Sequence, residues 1–382
     1  MARAAAAAED EALPEADRLS PYLHPRHAPS VFGHADQIAT LDDALRGARC
    51  HHAWLLTGPA GVGKATLAWR AARFALAGPH EWVPGQRLTT KPGWFGSRLV
   101  DNLAHPDLLL LRRPYDPATK RHKTVITADE VRRLRSFLGH TQGAGGWRVV
   151  IVDRSDDLNI AAANALLKTL EEPPPGTIFL LVSSQPGRLL PTIRSRCRTL
   201  VLAPLPDDVL VDACAKIASQ SEAPVEGADS PSLVRLAPFA GGSPGQLLSL
   251  AATGGSRIVE DVLGHLREWP SGDAAKALRS ADLVSDSDTN VLDLWVALLL
   301  QSMRAAARAA VAGRDESGGA AGSPRLIEHL GDTAALASWA ELWETVARDK
   351  AAVDQLNLDR RAFVLATLAR LGRFANSAPG QT

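Results

Sequence analysis

The sequence predicts an α/β fold: a parallel-sheet, phosphate-loop core, then a small helical lid and an all-α C-terminal domain. Three observations predict it. Short apolar runs rich in β-branched residues alternate with helical stretches between about residues 25 and 205. The first run leads straight into a glycine loop and a helix, "AWLLTGPAGVGKATLAWRAARFAL". After "LAPLPDD" the strand-like runs stop and only helical patterns remain. The expected divisions are a disordered tail at 1–22, the core at 23–205, the lid at 206–272 and the last helical domain at 273–376.

Bulk properties narrow the class. A chain of 382 residues has room for two or three domains with ample cores. Its 42 basic and 42 acidic residues balance, so any nucleic-acid contact must come from a local patch or from partners. Three scattered cysteines, Cys50, Cys197 and Cys214, cannot form a disulfide framework, which predicts a reduced, intracellular protein. The start, "MARAAAAAEDEALPEAD", carries more acid than base and lacks the apolar centre of a signal peptide. No apolar run reaches the roughly 18 residues of a membrane span, so a soluble protein is expected and "VLDLWVALLL" reads as a buried helix.

Taken in order, "AWLLTG" is the first strand and "GVGKATLAWRAARFAL" the helix behind it. "DLLLL" (Asp107 to Leu111) follows a Pro/Gly/Trp-rich stretch, and "WRVVIVD" (Trp147 to Asp153) follows "GAGG". "TIFLLVSS" and "RTLVLAPL" complete the strands. Between them lie helices at "ADEVRRLRSFLGH" and "NIAAANALLKTLEEPPP", the second with Asn159 as N-cap and a proline run as its stop. Strands alternating with helices imply a parallel sheet covered on both faces. Beyond residue 206 come short helices around "LVRLAPFAGGSPGQLLSLA". Longer ones follow in "VLDLWVALLLQSMRAAARAAVAG" and "WAELWETVARDKAAVDQLNLDRRAFVLATLARLGRF", with "GRDESGGAAGSP" between them as a loop. Leu342, Val346, Val353, Leu356 and Leu358, then Phe363, Leu365 and Leu368, form the expected apolar stripe of the last helices.

Chemistry concentrates in three places. Gly58, four residues, then Gly63 and Lys64 has the spacing of a phosphate-binding loop, where backbone N–H groups at a helix start cradle phosphate oxygens. The next position needs a hydroxyl to hold magnesium; here it is Ala65, and Thr66 comes one place late, about 100° round the helix. Four apolar residues then end in Asp153, placed to hold magnesium through water, but the following position is Arg154, which cannot activate a water as a carboxylate does. Asp156 reads as a solvated or capping residue. In "PTIRSRCRTL", Arg194, Arg196 and Arg198 alternate into a strand, which places them on one face. Two readings stay open there: a solvated basic edge, or an arginine reaching a neighbouring subunit's nucleotide. A further cluster, "RRPYDPATKRHK" with Arg132, Arg133 and Arg135, reads first as a solvated surface and second as a non-specific contact to DNA phosphates in an assembled complex.

From "VVIVDRSDDLNIAAANALLKTLEEPPPGTIFLLVSSQPGRLLPTIRSRC" the chain resembles the clamp-loader branch of the AAA+ ATPases, over about His24 to Leu250 and most specifically in "ANALLKTLEEPP" and "SRC". The resemblance implies an AAA+ core, a lid and a C-terminal collar domain. It makes Arg196, the arginine of Ser-Arg-Cys, a finger acting in trans. Gly58, Gly61, Gly63, Lys64, Thr66 and Asp153 would be the contacts of any ATP or ADP at a degenerate loop, with no cofactor required. Three positions depart from the ATPase members: Lys64-Ala65, Asp153-Arg154, and "GSPG", with Gly245 where an arginine would stand. This pattern implies a non-hydrolysing, stator-like subunit of the DNA polymerase III loader, cytoplasmic and without ATP turnover of its own. Its implied partners are the ATPase subunits and delta in a hetero-pentamer, with the sliding clamp and primed DNA reached through the complex. Family members often carry a four-cysteine zinc module after the first helix. No cysteine lies between Cys50 and Cys197, so no zinc is expected. "EWVPGQRLTTKPGWFGSRLV" takes the module's place, with Trp82, Trp94 and Phe95 as expected apolar anchors.

Overall fold

The structure, a computed structural model, describes residues 15–19, 21–47, 50–139, 147–221, 228–270, 273–285, 289–313, 321–356 and 358–376. Most of the expected tail, the "GAGG" turn and most of the "GRDESGGAAGSP" loop lie outside the described residues. The chain divides between Leu205 and Pro206 into two compact units.

The first unit runs α1 (Ala35–Arg46), β1 (Ala53–Thr57), α2 (Lys64–Ala77), α3 (Phe95–Asp101) and β2 (Leu108–Leu111). A short hairpin of β3 (Tyr115–Asp116) and β4 (Arg121–His122) precedes α4 (Ala128–Gly139). Then come β5 (Arg148–Asp153), α5 (Ile160–Glu171), β6 (Thr177–Ser183), α6 (Pro191–Arg196) and β7 (Arg198–Val201). The main sheet has the order β2-β5-β6-β1-β7, and every pairing in it is parallel. Side chains of a strand alternate between faces, so each strand feeds two cores. Trp54, Leu56, Val149, Ile151, Ile178 and Leu180 meet α1 and α2 on one face. Leu55, Val150, Val152, Phe179 and Leu181 meet α4 and α5 on the other. Both faces are covered, which is why these strands read as unbroken apolar runs. Asn159 caps α5 as expected, its Oδ1 accepting from the Ala162 N–H at 2.8 Å.

Two local expectations fail. The segment in place of the zinc module is not anchored by Phe95, which is 80% exposed. Trp82 stacks on Phe74 with ring centroids 4.3 Å apart and donates from its indole N–H to the Phe74 carbonyl at 2.9 Å. The buried anchors are Val100 and Leu88, the latter donating from its N–H to Asp42 Oδ1 at 2.7 Å. Trp94 is partly buried against the same core, as expected. Nor does the N-terminal segment stay loose up to residue 22. Tyr22 is buried, and Asp17 meets Arg112 at 2.6 Å and His24 at 3.0 Å.

The second unit is all-helical among the described residues: α7 (Asp207–Ser219), α8 (Ser230–Leu236), α9 (Pro244–Ala252), α10 (Gly255–Arg267), α11 (Ala274–Ser285), α12 (Thr289–Ala312), α13 (Pro324–His329), α14 (Thr333–Leu356) and α15 (Arg360–Asn376). Asp229, Ser243 and Ser323 cap α8, α9 and α13 through their side chains. The division expected at residue 272 is not a break in packing. Asp261 of α10 accepts from the Trp295 indole of α12 at 2.9 Å and from Ser280 of α11 at 2.7 Å. The Trp269 indole donates to the Leu371 carbonyl of α15 at 3.3 Å. Lid and collar therefore share one compact unit. The last long helical stretch divides into α14 and α15, and the apolar stripe is interrupted between them: Leu356 and Leu358 are exposed, whereas Val346, Val353, Phe363 and Leu368 are buried. By length and composition Val291–Ala312 would pass as a membrane span, contrary to the sequence expectation. Half of its most apolar stretch is nevertheless buried within the protein, with Trp295, Leu299 and Met303 in the core.

Candidate functional site

The glycine loop lies at the carboxyl edge of the sheet, where open α/β sheets bind ligands. Gly58, Gly61 and Gly63 all have left-handed φ, at 142°, 77° and 112°. Gly58 has a second reason to be glycine: a Cβ there would stand 2.2 Å from the Leu202 carbonyl oxygen. That close approach to the chain beyond β7 needs no nucleotide. At Gly63 nothing lies near a Cβ, so only φ demands glycine.

Lys64 opens α2 at 4% exposure, and its ammonium turns back onto the loop. It donates to the Gly58 carbonyl at 2.7 Å and to the Pro59 carbonyl at 2.5 Å. Burial lowers its pKa to about 8 against the pull of Asp153 and Asp156, and Arg154 adds to the lowering. A phosphate at this loop would compete with those two carbonyls. Ala65 supplies no hydroxyl, and Thr66 follows it one helical step later.

Asp153 ends β5 in a buried position. Burial, with the Asp17 carboxylate adding to it, pushes its carboxyl up to about 7, opposed by Lys64, Arg154 and Arg112. Arg154 points to Asp157 at 3.6 Å, and Arg113 reaches the same carboxylate at 3.2 Å. Asp156 is a buried cap, not a solvated residue. It accepts from Ser183 Oγ at 2.5 Å, from the Ser184 N–H at 2.6 Å and from the Gln185 N–H at 3.2 Å. Its carboxylate thus ties the turn after β5 to the end of β6. Among the described residues, no group of three or more His, Cys, Asp or Glu is placed to hold a metal ion.

The arginine triplet does not share a strand face. Arg194 and Arg196 lie on the last turn of α6, and only Arg198 lies on β7. Proline at its first position and the apolar Ile193 in the core fold this stretch as a helical turn, overriding the alternation. Arg198 stacks over the Trp54 ring at 5.0 Å. Arg194 is exposed and makes no side-chain hydrogen bond or ion pair among the described residues. Arg196 pairs with Glu171 Oε1 at 2.7 Å and donates to the Thr192 carbonyl at 3.0 Å.

Topology separates Arg196 from the loop. Arg198 aligns with Trp54 at the start of β1, whereas Gly58 follows the other end of that strand. At about 3.3 Å per residue, the two sites lie at opposite edges of the sheet, more than about 12 Å apart. Glu171, Glu15 and Asp17 are the site neighbours that sequence reasoning missed. No periodicity or spacing flags a partner 25 or 95 residues away.

Residues 33–206 match the family model described as DNA polymerase III, delta subunit. Over 153 residues the chain is 39% identical to DNA polymerase III subunit delta-prime of Pseudomonas aeruginosa, covering 38% of this chain and 41% of that one. Over 207 residues it is 34% identical to the delta-prime subunit of Escherichia coli, covering 54% and 56%. The chain thus spans about half the length of these curated relatives. It is also 31% identical over 266 residues to the tau/gamma subunit of Haemophilus influenzae, covering 68% of this chain and 36% of that one. Among solved structures, a gamma-subunit-related protein of Thermotoga maritima aligns at TM-score 0.40 and 17% identity, covering 89% of this chain and all of that one.

Proposed function

We propose, from the match over residues 33–206 and the similarity to delta-prime subunits, that this chain is the non-hydrolysing, stator-like member of a DNA polymerase III clamp loader. Its AAA+ core and helical unit join ATPase subunits and delta in a hetero-pentamer that opens the sliding clamp on primed DNA in the cytoplasm. Its own loop retains a nucleotide cradle, in which ATP or ADP would meet Gly58, Gly61, Gly63, Lys64, Thr66 and Asp153. It lacks the means to turn nucleotide over: no hydroxyl at Ala65, no carboxylate at Arg154, and Gly245 in the first turn of α9.

One observation carries the proposal. Arg196 stands partly exposed at the sheet edge opposite its own loop, where it serves a site on another subunit better than its own. A guanidinium delivered in trans stabilises charge developing on the transferred phosphoryl group and contributes about 10³-fold or more. The test is DNA- and clamp-stimulated ATP turnover by the reconstituted loader carrying Arg196→Ala, Arg194→Ala or Arg198→Ala. We expect a selective, partial fall for Arg196→Ala, because the other sites keep their own fingers. Arg194→Ala is the cleaner control, since Arg198 also packs on Trp54. Equal small effects from all three would reduce the triplet to a basic edge.

A further inference from the structure

We infer that Glu171 is a positioning residue for the Arg196 finger; the inference rests on the trans role proposed above. Glu171 is the last residue of α5 and Arg196 the last of α6. The two helix ends meet so that Glu171 Oε1 lies 2.7 Å from Arg196 Nη2 as an ion pair, while the Thr192 carbonyl accepts a hydrogen bond from Nη1 at 3.0 Å. A guanidinium has five N–H groups in one plane. Holding Nη1 by that hydrogen bond and Nη2 by the ion pair restricts that plane and leaves other N–H groups for a phosphate.

The placement of Glu171 points the same way. A carboxylate at a helix C-terminus faces the negative end of the helix dipole and is locally unfavourable. Glu171 does nothing for α5 there, and Arg196 is its ion-pair partner. The neighbouring acid, Glu172, is exposed and has no ion pair among the described residues, so the interaction is specific to one of two adjacent glutamates. The pair also joins the two most family-specific stretches of the sequence, "LLKTLEEPP" and "SRC", which lie about two dozen residues apart. Both side chains are partly solvated, so the pair adds little to stability. Its effect is to remove rotamer freedom from an arginine that must be ordered before a phosphate reaches it.

The experiment is steady-state ATP turnover by the reconstituted loader with clamp and primed DNA, using Glu171→Ala, Glu171→Gln, Glu172→Ala, Arg196→Ala and the Glu171→Ala/Arg196→Ala pair. We expect Glu171→Ala to lower kcat about 3- to 10-fold, the factor set by ordering one long side chain, with KM for ATP unchanged. Glu171→Gln keeps the side chain's length but removes the charge of the ion pair, and its kcat should fall between those of Glu171→Ala and the parent. Glu172→Ala should match the parent, and the double variant should be no slower than Arg196→Ala alone. Unchanged kcat for Glu171→Ala beside a fall for Arg196→Ala overturns the positioning role and leaves the finger standing. A rise in kcat overturns it too, because Glu171 would then restrain the finger rather than present it. No effect from Arg196→Ala itself removes the trans reading on which the inference rests.

Discussion

Replacing Asp17 by Asn tests whether the N-terminal segment is part of the core, where composition alone places a loose tail. Asp17 is 4% exposed, with Arg112 Nη1 at 2.6 Å and His24 Nε2 at 3.0 Å. Burial alone would raise its carboxyl; His24 and Arg112 outweigh burial and hold it at about 2 instead of 3.8. At about 1.4 kcal/mol per pH unit of difference, the ionised carboxylate contributes about 2 kcal/mol at neutral pH. For a unit of this size that is a fall in Tm of about 4–8 °C. The sign follows from the depressed pKa: the contribution is whole above the ordinary carboxylate range and disappears as pH falls through the folded value. By pH 3 the gap between the parent and Asp17→Asn should shrink to roughly half its neutral value. Calorimetry or urea unfolding of both proteins at pH 7 and pH 3 reads it directly. A neutral-pH shift below about 1 °C, or a gap that does not narrow with acid, would refute the argument.

Two further outcomes follow from the loop and from the domain boundary. The chain with Ala65→Ser should hydrolyse no ATP above background in a coupled-enzyme assay. The new hydroxyl leaves Lys64 held by the Gly58 and Pro59 carbonyls and leaves Arg154 where a carboxylate is needed; robust turnover would show those two features to be unimportant. A fragment ending after Leu205 should unfold cooperatively, whereas one ending after Ala275 should bind apolar dyes and aggregate. The longer cut strips α12 from the buried face of α10, which includes Val262 and Leu266; a monomeric, dye-free longer fragment would separate lid from collar after all.

Some of this protein is written in local pattern. The strands at "AWLLT", "LLLL", "RVVIVD" and "TIFLLVS" are legible because a strand covered on both faces must be apolar throughout. The glycine loop and the Asn159 cap are legible because backbone geometry limits which residues fit within a few positions. Tertiary structure decided what depends on distant partners. Leu88 and Val100, not Phe95, anchor the segment beside α2, since which apolar side chain is buried depends on the wall it meets. Alternation put three arginines on one face, but Ile193 and Pro191 curl that stretch into a helix, and Arg196 finds Glu171 instead. The acidic residues near the start look like solvated tail until Arg112 and His24, brought by other elements, surround Asp17. Charge pairs between distant elements have no period in sequence, unlike the i,i+4 pairs within a helix. They form only where the packed backbone delivers both partners to one place, so sequence reasoning found the loop and tertiary structure found what holds Asp17, Asp156 and Arg196.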